Sequence, residues 1–272
     1  MLGAIIGDIV GSRFEWHNIK KKEFRFFDLR CFFTDDSVMT LAIAKVILNC
    51  NGDLDRLPDQ TVKCMQEVGR PYPHCGYGGH FYSWMYSDDP KPYNSFGNGA
   101  GMRVSAVAWA ARNLGECIAM SEAVTKVTHN HPEGIKGAEA IAVSTYLALH
   151  GASKDEIRDY VKSHYYPLDF TLNEIRDTYR FNETCQMTIP QAIEAFLEST
   201  DFEDAIRNAI SIGGDSDTLA ACTGAIAEAF YGIPEGKREV AKDYLDLPLR
   251  TILESFEQAF PPKICQQTGK RV

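Results

Sequence analysis

The sequence predicts an all-α protein, and three observations carry that reading. Apolar side chains recur at helical spacing in segment after segment; Ser and Pro stand at the starts of several of these runs and glycines at their ends; no series of alternating strands is found. A short apolar helix opens the chain at 3–11. Residues 36–50 (DSVMTLAIAKVILNC) gather Val38, Leu41, Ala42, Val46 and Leu48 on a buried face. The pattern returns at 58–69, 100–113, 121–127, 134–150, 153–163, 188–198, 202–210, 215–231, 235–245 and 249–259. Pro58, Ser121 and Ser153 are start signals, and Asn51-Gly52, Gly115, Gly151 and Gly232 are stops. The expectation is about ten to twelve helices of ordinary length. Residues 24–33 (FRFFDLRCFF) allow one short extended piece. Residues 70–99 form a long loop with few helix formers, a kind of segment that often carries function. Lys20-Lys21-Lys22 reads as a solvated loop. One domain over 1–260 and a peripheral tail over 261–272 complete the layout.

Composition narrows the class. The chain has 272 residues, 28 Lys+Arg against 37 Asp+Glu and a formal net charge of −9. Its 44% hydrophobic and 24% charged residues exclude disorder, and no rod periodicity is present. The acidic balance argues against an extended nucleic-acid partner. No apolar run reaches membrane-spanning length, and Asp8 interrupts the N-terminal apolar stretch, so neither a membrane partner nor a signal peptide is expected. Eight cysteines without a C-x-x-C pair read as buried thiols of a cytoplasmic protein. His74-Cys75 with His80 comes nearest to a zinc pattern and falls short of one. A monomer is the default expectation.

Two acidic turns stand where buried helices begin. The first is Thr34-Asp35-Asp36-Ser37 and the second is Gly213-Gly214-Asp215-Ser216-Asp217-Thr218. N-capping accounts for one acid or hydroxyl at such a place. Paired acids leading into apolar helices exceed what capping needs. Crowded buried carboxylates protonate unless a positive charge compensates, and neither turn contains Lys or Arg. A hard divalent cation held by Asp and Thr oxygens is the alternative to capping plus surface acids. An EF-hand is excluded, because neither turn has its twelve-residue ladder.

Three further pieces accompany them. Gly3, Gly7 and Gly11 share one helix face and permit close packing, with Glu15 at the helix exit. Gly97-Asn98-Gly99-Ala100-Gly101-Met102-Arg103 opens a helix with glycines, a weak signal for an anion site. Thr128-His129-Asn130-His131 precedes another helix, and such histidines cap more often than they ligate.

Taken in order, GAIIGDIVGSRFE, FTDDSVMTLAIA, GNGAGMRVS, THNHPEG and SIGGDSDTLAACTGAIA resemble the ADP-ribosylglycohydrolases, over residues 3 to 232. The resemblance implies a compact single-domain orthogonal helical bundle with a binuclear Mg²⁺ or Mn²⁺ cleft. It implies hydrolysis of the bond between ADP-ribose and an acceptor on a protein or small molecule. Position by position, it implies metal ligands at Thr34, Asp35, Asp36, Asp215, Asp217 and Thr218. It implies catalytic roles for Glu15 and Asp36, and substrate binding by Gly97, Asn98, Gly99, Met102 and His129. Ser37 and Ser216 stand where many relatives have Thr, and both keep the hydroxyl. Asp88 or Asp89 is a candidate for a further acid from the 70–99 loop, and Tyr77, Phe81, Tyr82 or Phe96 for stacking on adenine. A non-catalytic ADP-ribose binder and a binuclear-metal nucleotide phosphohydrolase are the rival readings.

Overall fold

The computed structural model describes residues 1–262, so 263–272 of the expected tail lies outside the described residues. Among the described residues the chain forms α-helices and no strand; its one β-bridge pairs Gly97 with Thr184. The helices begin with α1 (Leu2–Gly11), α2 (Asp35–Cys50), α3 (Leu57–Gly69) and α4 (Gly79–Met85). Next come α5 (Gly99–Met102), α6 (Ser105–Ala110), α7 (Leu114–Thr125) and α8 (Pro132–Leu149). Then follow α9 (Lys154–His164), α10 (Leu172–Ile175), α11 (Cys185–Leu197) and α12 (Phe202–Ser211). The chain closes with α13 (Ser216–Tyr231), α14 (Glu235–Lys242) and α15 (Leu247–Ala259).

Helix α13 is the central post. It packs against α1, α8, α11 and α12, and nearly all its side chains are buried. A helix apolar on every side belongs in the middle of a bundle. Each fully buried Leu or Ile, such as Leu219 and Ile226, contributes roughly 1.5–3 kcal/mol of transfer free energy. The α1–α13 approach depends on absent side chains: a Cβ on Gly7 would stand 2.0 Å from the Ala220 carbonyl oxygen. This contact brings the exit of α1 beside the start of α13, and the exit carries Glu15. Helix α2 packs on α1 and α3, so its start arrives at the same end of the bundle.

Several local expectations change. The helix expected over 100–113 divides into α5 and α6 around Arg103 and Val104, both buried. The Gly-rich start is a poor helix former, and the break lets Arg103 turn toward Thr128 and His129. The helix expected from Ser121 begins at Leu114 instead. Asn113 caps it by accepting from the Glu116 N–H at 2.9 Å. Gly115 therefore lies in a first turn rather than after a last one, and Ser121 is buried in mid-helix. Short α10, with a Thr171–Glu174 capping box, and α4 within 70–99 were not expected.

Residues 24–33 form no strand. Carbonyls in and just before this segment find side-chain donors: Arg207 Nη1 donates to that of Phe24 at 2.8 Å and to that of the preceding Lys22 at 2.7 Å, and Arg13 donates to that of Arg25. A segment satisfied in this way needs no partner strand. Nor is the lysine run simply solvated. Lys20 donates to the carbonyls of Tyr179 and Ile212, and Lys22 pairs with Asp204. The seven described cysteines are free thiols, all buried except half-buried Cys75. Among the described residues no helix is long and apolar enough to cross a membrane.

Candidate active site

The first acidic turn rests on Asp8. This α1 residue is fully buried and accepts from the Thr34 N–H at 2.9 Å, Thr34 Oγ1 at 2.7 Å, the Ser37 N–H at 3.0 Å and Ser37 Oγ. Burial still pushes its carboxyl up to about 6. Thr34 caps α2 by accepting from the Asp36 N–H at 3.3 Å. The Asp35 N–H donates to the Cys75 carbonyl at 2.8 Å, which ties the 70–99 loop to the helix start. Asp36 is buried. Its Oδ2 accepts from Thr218 Oγ1 at 3.3 Å, which joins the two turns, and its Oδ1 has no partner.

The second turn is built on backbone. Gly213 and Gly214 have φ of +68° and +81°, a region that costs other residues strain. Asn18 clasps Gly214 from both sides: Nδ2 donates to its carbonyl and Oδ1 accepts from its N–H, each at 2.8 Å. Lys20 secures the preceding Ile212 carbonyl. Asp215 stands at the N-cap of α13 without accepting a cap bond. It accepts from Asn98 Nδ2 at 2.7 Å, and Asn98 also donates to Thr188 Oγ1 at 3.2 Å. Asp217 Oδ1 accepts from the Thr218 N–H at 3.0 Å. Capping therefore uses neither the Asp215 carboxylate nor Asp36 Oδ1, and Asp36 Oδ1 has no partner.

Glu15 completes the cluster. It follows a 3₁₀ turn at the exit of α1, and one carboxylate oxygen each from Glu15, Asp215 and Asp217 lie within 4.8 Å of one another. All three line a cleft of about 470 Å³ together with Thr34, Asp35, Asp36 and Thr218, within the ordinary range for small-molecule sites. Burial and then Asp215 push Glu15 up to about 7. Burial and neighbouring acids push Asp35, Asp36 and Asp217 well above the usual carboxylate range. Oxygen donors held together against their own repulsion, one with an orphaned buried atom, fit a hard divalent cation.

The glycine loop forms another part of the cleft lining. Gly97, Asn98, Gly99, Met102 and His129 all line it. The Asn98 N–H donates to the Glu183 carbonyl at 2.7 Å, and the Cys185 N–H to that of Phe96 at 2.9 Å. The expected cradle of N–H groups is smaller than the glycines suggest. The N–H groups of Ala100, Gly101 and Met102 turn back to the carbonyls of Gly97 and Asn98. His129 is buried, with Nδ1 2.7 Å from Thr128 Oγ1 and 3.3 Å from Arg103 Nη2. Burial and then the Arg103 charge hold it well below the usual imidazole range, so it is neutral.

Other candidates separate from the site. His131 caps α8 by accepting from the Glu133 N–H at 3.1 Å. Asp88 and Asp89 are exposed and outside the cleft lining, and Asp89 pairs with Lys91. Among the described residues His74, Cys75 and His80 belong to no cluster of three metal donors. Of the aromatics, Phe81 lines the cleft but is buried, whereas Phe96 is exposed beside Gly97, 5.1 Å from the His131 ring. Tyr77, Tyr82 and Phe96 are not among its lining residues. The sequence reading missed Asp8, Asn18 and Arg103. The one available signal was an acid at position 8 inside an otherwise apolar helix, which such a helix tolerates only with partners.

The family model described as ADP-ribosylglycohydrolase matches residues 1–263. An ADP-ribosylhydrolase ARH3 of Xenopus tropicalis is 25% identical, over 90% of this chain and 91% of its own. An ADP-ribosylarginine hydrolase Tri1 of Pseudomonas putida (strain GB-1) is 31% identical, over 58% of this chain and 45% of its own. A solved ADP-ribosylglycohydrolase-related protein complex shares the fold, with a TM-score of 0.67, 22% identity and coverage of 94% of this chain and 95% of its own.

Proposed function

The chain belongs to the ADP-ribosylglycohydrolase family, and on that premise we propose that it is a divalent-cation-dependent hydrolase that releases ADP-ribose from an acceptor. The convergence of Glu15, Asp215 and Asp217, with Asp36 joined to them through Thr218, carries this reading. The ligands would be Thr34, Asp35, Asp36, Asp215, Asp217 and Thr218, for two Mg²⁺ or Mn²⁺ ions. When bound, such a pair supplies Lewis-acid activation of water and anchorage for ribose hydroxyls.

The residues divide the remaining work. Thr34 Oγ1 and Thr218 Oγ1 each give their proton to a carboxylate, Asp8 and Asp36 respectively, which leaves each at least one lone pair for ligation, the other on Thr34 accepting from the Asp36 N–H. Asn98 orients Asp215 from the glycine loop, so the substrate-binding loop and the carboxylates are registered to each other. Glu15, gathered with Asp215 and Asp217 in the cleft, or Asp36 in the same lining, would take the proton of an attacking water. The ring of carboxylates tolerates positive charge developing at the anomeric carbon. Gly97, Asn98, Gly99, Met102 and neutral His129 hold the ADP-ribose. Trp16, exposed and stacked at 5.0 Å on Phe181 of the cleft lining, follows Glu15 in the chain. Free buried thiols support a cytoplasmic protein, and the monomer is the simplest state that contains the whole cleft.

The test is product analysis. The purified protein with Mg²⁺ is incubated with arginine-, serine- and base-linked ADP-ribose and with O-acetyl-ADP-ribose. Release of intact ADP-ribose from one class supports the reading and identifies the acceptor. Release of AMP or phosphate would indicate a phosphohydrolase, and tight ADP-ribose binding without turnover would indicate a binding protein.

A further inference from the structure

Trp16 follows Glu15 in the chain and is 72% exposed, so it contributes little to the core. Burial of apolar surface therefore does not fix its ring. Two contacts fix it instead. The indole stacks on the Phe181 ring, with centroids 5.0 Å apart and planes 21° from parallel. The indole N–H, the one polar group of this side chain, donates to the Glu15 carboxylate. Tryptophan suits both contacts at once, because it offers a flat face for stacking and a donor at its edge.

Glu15 needs such a donor. Its carboxylate shares a 4.8 Å neighbourhood with those of Asp215 and Asp217, and Asp215, Asp8 and Glu183 all act against its negative charge. Its backbone is tied, since Asn18 Nδ2 donates to the Phe14 carbonyl at 2.7 Å and to the Glu15 carbonyl at 2.9 Å. Its side chain is half-buried, and repulsion drives it outward to water. Phe181, on which the indole rests, lines the cleft between two anchored neighbours. Lys20 donates to the Tyr179 carbonyl at 2.9 Å, and the Glu183 carbonyl accepts from the Asn98 N–H at 2.7 Å. Thr184 bridges to Gly97, and Asn98 in turn bonds Asp215. The ring under Trp16 is thus registered to the glycine loop and to the second acidic turn.

We propose that Trp16 is a positioning residue for Glu15: stacked on Phe181, it presents its N–H to the carboxylate and holds it toward Asp215 and Asp217 rather than toward solvent. Phe181 fixes the indole, and segment 181–184 carries the placement of the glycine loop across the cleft to Glu15. The assignment rests on the hydrolase reading of the cleft, with Glu15 at the attacking water.

The experiment reads position and rate separately on the intact protein. Trp16→Phe keeps a ring for the stack and removes the donor, Trp16→Ala removes both, and Phe181→Leu removes the stacking partner alone. Crystal structures of the cation-free proteins show where the Glu15 carboxylate lies. Steady-state hydrolysis in Mg²⁺, with the ADP-ribosylated substrate that wild type cleaves, gives kcat and KM. The expected result is a Glu15 carboxylate turned away from Asp215 and Asp217 in both Trp16 variants. With it, kcat falls about 10–100-fold while KM stays within about twofold, and Phe181→Leu shows a smaller loss in the same direction. In a Glu15→Ala background, Trp16→Ala should add no further loss, because the group it positions is gone. If Glu15 keeps its place in both Trp16 variants, if the loss falls on KM instead of kcat, or if the losses of Trp16→Ala and Glu15→Ala multiply, the assignment is overturned. A Glu15 that moves while turnover stays at the wild-type level would instead remove Glu15 from the chemistry and leave its placement by Trp16 standing.

Discussion

At the start of α2 the carboxylates stand on side chains, whereas at the start of α13 they stand on backbone. Asp8 collects the Thr34 and Ser37 N–H and hydroxyl groups, so the first turn is shaped by one buried acid and its donors. The second turn has no such acid. Two left-handed glycines set its path and Asn18 clasps it from another part of the chain. Both turns expose the same chemistry to the cleft, but they should fail differently. A side-chain support fails when a polar partner is removed, and a backbone support fails when a Cβ is added.

The largest expected effect lies where the two turns meet. Asp217→Ala and Asp36→Asn should each lower hydrolysis by at least about 10³-fold, on the scale of losing a positioned catalytic group. Each should also abolish the rise in melting temperature that Mg²⁺ gives wild type. Retained cation stabilisation in both variants, read by calorimetry, would break the assignment of these acids to the cation.

Next come the supports. Gly214→Ala forces a β-carbon into left-handed backbone, 2.3 Å from the Tyr179 ring, and should cost about 1–3 kcal/mol in urea unfolding. Asp8→Ala leaves the Thr34 and Ser37 donors unpaired in the interior, and a cost of about 1–3 kcal/mol for such groups is expected. The comparison is sharpened by crossing them. Asp8→Ala should weaken cation binding chiefly through Asp35 and Asp36, while Asn18→Ala, at about 0.5–1.5 kcal/mol, should act through Asp215 and Asp217. Equal effects of Asp8→Ala and Asn18→Ala on one and the same turn, seen in their NMR shifts, would contradict separate supports.

The last test is in pH. Glu15 and Asp8 are held near 7 and 6, above their unfolded values, so the native state binds more protons than the unfolded chain. Cation-free protein should therefore lose stability as pH rises from about 4.5 through 7. Added Mg²⁺ should flatten or reverse that slope, because it replaces the protons. A cation-free melting temperature that climbs across this window would contradict a crowded carboxylate site.

Much of this was legible in one dimension. Long apolar periods gave α2, α8 and α13, because helices that bury most of their surface leave little choice of spacing. The acidic turns were visible because charge before an apolar run is costly and so conspicuous. The short elements were not visible. Helix α10 has four residues and little periodicity, and α7 begins at a cap, Asn113, that lies within the helix expected over 100–113. Residues 24–33 misled because their carbonyl partners are Arg13 and Arg207, and the latter lies far along the chain.

The sequence by itself determined the helical class, the family resemblance and the residue types of the cleft, because local spacing and ordered motifs encode these directly. The tertiary structure decided which of those residues meet. Asp8 reads as an interruption until α2 packs on α1, Asn98 as a turn residue until it reaches Asp215, and Arg103 as one more charge until it meets Thr128 and His129. Those roles depend on partners from elsewhere in the chain, and the energy of a buried polar group is set by what the folded neighbourhood places against it.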